Sequence, residues 1–136
     1  MKKILILLCS VLFFACNSTK DIPQDLTAPQ LLQRGQSCLD NADYKAAEAY
    51  FLATIDRYGD NTDTYIEAKY ELAHLHIKTK KYDKAYAELT EILELYDYAM
   101  AGTLPAAYKK LSQIEMEKIP ATKLAELRGE TSYPVE

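Results

Sequence analysis

A chain of 136 residues with a formal net charge of −4 has room for one modest domain and none of the basic excess that a nucleic-acid binder carries. Its three cysteines include Cys9 and Cys16 near the start, which excludes a disulfide-stapled scaffold and leaves Cys38 to be read as a small apolar residue. Eleven tyrosines and no tryptophan give the chain its aromatic content, and every tyrosine lies beyond residue 40.

Met1, Lys2 and Lys3 form a short basic head on an apolar run over residues 4–15. The run falls short of the roughly 20 residues that span a bilayer and has the proportions of a secretory leader. Its end, Phe13, Phe14, Ala15 and Cys16, resembles a bacterial lipobox, in which a small residue precedes a cysteine that takes lipid and becomes the mature N-terminus. That resemblance implies a signal peptide over 1–15, lipid on Cys16, and a membrane-anchored protein of the bacterial envelope, at the outer membrane facing the periplasm. Loss of Lys2 and Lys3 with the leader makes the mature chain more acidic still. Residues 16–26 show no period and contain Pro23, so they read as the lipidated cysteine and a flexible tether.

Order is predicted from Thr27. Thr27 and Gln30 have the spacing of a capping box, with Pro29 tolerated in the first turn, and a helix runs from there to about Asp40. Its stripe is Leu31, Leu32, Gly35, Cys38 and Leu39. Asp43 is the N-cap of a second helix that ends at Gly59, expected in the left-handed conformation. Thr64 with Glu67 offers another capping box for a third helix. That helix carries two stripes, Ile66, Tyr70, Ala73 and Ile77 on one side and Ala68, Leu72 and Leu75 on another, so it needs cover on two faces. After a turn at Lys78, Lys80 and Lys81, a fourth helix places Tyr82, Ala85, Tyr86, Leu89, Ile92, Leu93 and Tyr96 on one stripe at helical period. Glu88, Glu91 and Glu94, three apart, read as its solvated side. Thr103 is the expected cap of a fifth helix carrying Leu104, Ala107, Tyr108, Leu111 and Ile114. Pro120 opens a short sixth that ends at Gly129, with Leu124 and Leu127 as a terminal cap.

Much of this pattern repeats at an offset of 38 residues: Tyr44 with Tyr82, Tyr58 with Tyr96, Tyr70 with Tyr108, Ala47 with Ala85, Gly35 with Ala73, and Leu39 with Ile77. A repeat of helical hairpins predicts an all-α stack in which each unit covers its neighbour. The positions of Gly35 and Ala73, Tyr44 and Tyr82, and Ala47 and Ala85 resemble the tetratricopeptide repeat, although the period is longer than the family's usual 34 or so and Arg34 stands where a leucine is common. The resemblance implies a short solenoid of about two and a half hairpins over 27–129, with a tail at 130–136. Leu32, Gln36, Tyr70, His74, Tyr108 and Ser112 then map to a concave face and are the expected partner-binding residues, with Tyr70 and Tyr108 as aromatic anchors.

Chemistry has no motif behind it. His74 and His76, two apart on one helix, face different sides and do not form a metal pair, and His76 reads as a packed core histidine. No phosphate loop and no nucleophile beside a base is present, so no enzyme activity, metal or cofactor is expected. The architecture is similar to the helical-repeat lipoprotein of the outer-membrane β-barrel assembly machinery. It implies a membrane-anchored interaction scaffold for an envelope protein or peptide segment, with self-association as a further expectation. The alternative is a ligand-delivery subunit assisting a membrane transporter.

Overall fold

The computed structural model describes residues 22–130. The expected leader, Cys16, most of the expected tether and the tail after residue 130 lie outside the described residues. The fold is all-α. Its six helices are α1 (Ala28–Asp40), α2 (Tyr44–Tyr58), α3 (Thr62–Lys78), α4 (Tyr82–Tyr98), α5 (Ala106–Met116) and α6 (Ala121–Leu127). From α1 to α5 they pack sequentially in adjacent pairs, with α3 also against α1 and α5, and α6 lies on α4. No described helix is long and apolar enough to cross a membrane.

The two-faced character of α3 organises the packing. Ala68, Leu72 and Leu75 join Leu32, Leu39, Ala47 and Phe51 in one core. Ala73 and Ile77 join Leu89, Met116, Ile119, Tyr82, Tyr86, Leu93 and Leu124 in a second. Gly35 is needed where α1 crosses α2, because a methyl group there would overlap the fully buried ring of Phe51. Ala47 and Ala85 are both completely buried, which leaves no volume for a longer side chain.

The α1–α2 and α3–α4 turns repeat the same backbone hydrogen bonds. Ala42 and Lys80, 38 residues apart, both adopt left-handed backbone, at φ 58° and 59°. At the first turn the Ala42 N–H donates to Leu39 O and the Asp43 N–H to Cys38 O, at 3.1 and 2.9 Å. At the second, Lys80 donates to Ile77 O and Lys81 to His76 O, at 3.0 and 2.8 Å. These are paired bonds of the Schellman type, which satisfy carbonyls that a helix end leaves without partners. Gly129, at φ 70°, closes α6 in the same way, with its N–H bonded to Glu126 O and that of Glu130 to Ala125 O.

Several expectations about helix ends require correction. Gly59 is right-handed, at φ −66°, and is small because a Cβ would press on the Ile55 carbonyl. The cap of α3 is Asn61, whose Oδ1 accepts from the Thr64 N–H at 2.9 Å, so the helix starts ahead of Thr64. Thr103 spends its hydroxyl on Met100 O, and α5 begins after Pro105. The Gln30 side chain does accept from the Thr27 N–H, at 2.9 Å, and Asp43 does cap α2. Order also starts before Thr27. Arg57 donates to Pro23 O and Ile22 O at 2.7 and 3.0 Å, the Tyr58 hydroxyl donates to Leu26 O at 2.7 Å, and Leu26 is buried. The stretch from residue 22 to 26 is thus part of the fold, because α2 supplies donors for its carbonyls.

The acidic face of α4 is not solvated as a whole. Glu88 bonds the His76 ring at 2.8 Å, and Glu91 accepts from Lys69 at 2.7 Å and from the Tyr65 hydroxyl. Only Glu94 of the three is exposed. His76 is buried as expected, and its other ring nitrogen lies 3.2 Å from Glu48. α6 does not cover α5: Leu124 packs into the second core against α4, Lys123 pairs with Asp83 at 2.8 Å, and Leu111 and Ile114 stay exposed.

Candidate functional site

The face shared by α1, α3 and α5 brings most of the expected binding residues together. On α3, Tyr70 and His74 are one turn apart and stack, with ring centroids 6.4 Å apart and planes at 18°. From α5, Tyr108 meets Tyr70 at 5.4 Å between centroids and a 59° tilt, so equivalent positions of two successive units stand side by side. Gln36 of α1 is exposed and donates from Nε2 to Glu71 at 2.9 Å. His74 Nδ1 lies 3.1 Å from Glu115 of α5.

Two of the six residues fall elsewhere. Leu32 is only 5 % exposed and belongs to the first core, where its side chain fills the crossing of α1, α2 and α3; it reaches the surface only as lining of a hollow. Ser112 is fully buried, and its hydroxyl has no hydrogen-bond partner among the described residues. It offers nothing to a ligand at the surface. The hollow above Leu32 has a volume of about 170 Å³ and is walled by Gln36, Thr64 and Glu67.

Three carboxylates that the sequence reading did not assign here define the electrostatics. Glu67 and Glu71 sit four apart on α3, on the same side as Tyr70 and His74, and Glu115 reaches in from α5. The Tyr70 hydroxyl is pushed up to about 12, by burial first and then by the negative field of Glu115 and Glu71. Tyr108 is raised too, by burial and by Glu67 beside it. The Glu71 carboxyl is itself raised: burial outweighs the Gln36 bond and His74, and Glu67 and Asp40 add repulsion. Glu115 is 2 % exposed. One of its oxygens meets His74 and Lys118, while Oε2 has no hydrogen-bond partner among the described residues. The α3 spacing at 67, 70, 71 and 74 was a usable signal for Glu67 and Glu71. Glu115 depended on the α3–α5 contact. Among the described residues, no three His, Cys, Asp or Glu side chains converge as a metal-ligand set.

Comparison with known proteins gives one informative similarity. The chain is 35% identical over 109 residues to a protein of Treponema pallidum (strain Nichols) named only as an uncharacterized protein. The match takes in 78% of this chain and 44% of that relative, so the chain spans less than half of the relative's length. No protein-family model matches the sequence, and no solved structure matches it.

Proposed function

We propose that the protein is a noncatalytic interaction scaffold of the bacterial cell envelope, anchored through lipid on Cys16 and built as a short tetratricopeptide-like solenoid whose concave α1, α3 and α5 face binds a segment of a partner protein. The observation that carries this reading is the contact of Tyr70 with Tyr108 at equivalent positions of successive units, half-buried and flanked by polar groups. Aromatic rings with a packed body and a wet edge are common anchors of binding surfaces. The repeated turns at Ala42 and Lys80 support the solenoid, and Gly35, Ala47 and Ala85 support its resemblance to tetratricopeptide hairpins. A role in outer-membrane protein assembly is the part of the proposal that rests on architecture alone.

The test uses the full-length protein purified from detergent-solubilised membranes, with partners identified by mass. The double variant Tyr70→Ala, Tyr108→Ala should lose its partner while keeping helical content, a cooperative melt and incorporation of labelled fatty acid. Cys16→Ser should abolish the label. Retention of the full partner set by the folded double variant would move the binding surface elsewhere, and a wild type that takes up no label would remove the anchor.

A further inference from the structure

Resting on the binding face proposed above, we infer that its partner segment is basic: an extended, internal stretch of polypeptide that presents Lys or Arg side chains to Glu67 and Glu71 across the Tyr70 and Tyr108 rings. The first argument is charge. Neither Glu67 nor Glu71 forms an ion pair with a lysine, arginine or histidine among the described residues, and the nearest recorded partner of Glu71 is the neutral amide of Gln36. Lys118, the lysine at this face, is committed to Glu115, and the His74 ring is bonded to the same carboxylate. Even so, Glu115 Oε2 is buried without a hydrogen-bond donor among the described residues.

The second argument is the cost of that arrangement. Carboxylates gathered against half-buried rings repel one another and lose hydration, the same causes that raise Glu71, Tyr70 and Tyr108. A ligand that supplies positive charge relieves the cost. One that supplies a carboxylate or phosphate adds repulsion, and an apolar one removes further hydration without supplying a partner.

Shape agrees with this chemistry. The 170 Å³ hollow has Leu32 in its lining and Glu67 in its wall, which suits a long side chain with an apolar stem and a charged tip. Spacing then suggests how a peptide lies. Glu67 and Glu71 are separated by about 6 Å along the α3 axis, and alternate residues of an extended chain, which point the same way, by roughly 6.6 Å. A Lys-x-Lys segment running beside α3 therefore matches the two carboxylates in register.

The probes are four end-blocked nonapeptides that differ only at two central positions separated by one residue, carrying Lys, Gln, Leu or Glu at both. Binding to full-length protein in detergent micelles is followed by fluorescence anisotropy at low and high salt. The Lys peptide should bind at least about tenfold more tightly than the Gln peptide, with the Glu peptide weakest and the preference shrinking at high salt. In the variant Glu67→Gln, Glu71→Gln, checked for an intact melt, that preference should vanish while the Leu peptide binds as before. Equal binding of the Lys and Leu peptides, unaffected by the two substitutions, would overturn the charge inference and leave the groove standing. Failure of all four peptides to bind the wild type would overturn the groove itself.

Discussion

Ala85 and Glu88 differ by one helical turn and show what one residue's surroundings decide. Ala85 is fully buried, so Ala85→Leu should overpack the α3–α4 crossing and cost about 1 to 3 kcal/mol in urea unfolding. Glu88→Ala strips the His76 ring of a buried hydrogen-bond partner and should cost about 1 kcal/mol or more. The exposed Glu94→Ala, by contrast, should stay within about 0.5 kcal/mol. The small residue at Ala85 was legible because its counterpart Ala47 stands in the same register. The environment of Glu88 was not, since His76 approaches from another helix and Glu48 from a third. Glu71 carries the clearest dependence on pH. Its folded pKa is raised, so its charge opposes folding above that pKa, and the penalty is relieved as pH falls through it. Glu71→Gln should therefore raise the melting temperature at pH 7, and the gain should disappear well below the ordinary value of 4.5. Glu48 and Glu91 run the other way. Both are depressed by their hydrogen-bonded and charged partners despite burial, so they stabilise the fold above 4.5 and that contribution is lost as pH falls through their folded values. A melting difference for Glu71→Gln that grew toward acid would contradict this assignment.

At the scale of the element, helix existence was legible and helix ends were not. Periodicity located all six helices, because an apolar stripe is a property of the whole segment. Ends depend on which of several polar residues wins a particular backbone donor. Thr64 was the expected cap of α3, and Asn61 takes that place because it leads the segment and its side-chain Oδ1 reaches the Thr64 N–H. The left-handed backbone of the repeated turns was not legible, for a different reason. Left-handed backbone is usually announced by glycine, as it is at Gly129, while Ala42 and Lys80 hold it without one. Relief of that strain gives a test: Lys80→Gly should raise stability by up to about 1 kcal/mol, and Lys80→Val should lower it by more. Chemical denaturation of the two variants checks the sign, and equal destabilisation by both would mean that the lysine side chain, not its backbone, matters at this turn.

For the whole molecule, the all-α class and the pairing of neighbours followed from the two stripes of α3 and from the recurrence at 38 residues. The candidate site was half legible. Tyr70, His74, Tyr108 and Gln36 meet as their repeat positions require. Leu32 and Ser112, at the same positions, are turned inward: Leu32 fills the first core, and Ser112 is fully buried on α5. The acidic character of the face comes from three glutamates on two helices, and their convergence is a property of the assembled chain.

The membership of α3 in both cores bears on how the molecule comes apart. In an array of independent units, one end can fray while the other stays folded. Here the helix that completes the first core also opens the second, so losing either hairpin strips apolar cover from its neighbour. The free energy of unfolding is therefore held in common. A small chain assembled from repeated parts behaves as one cooperative body, and a segment bound along α3 would brace both halves at once.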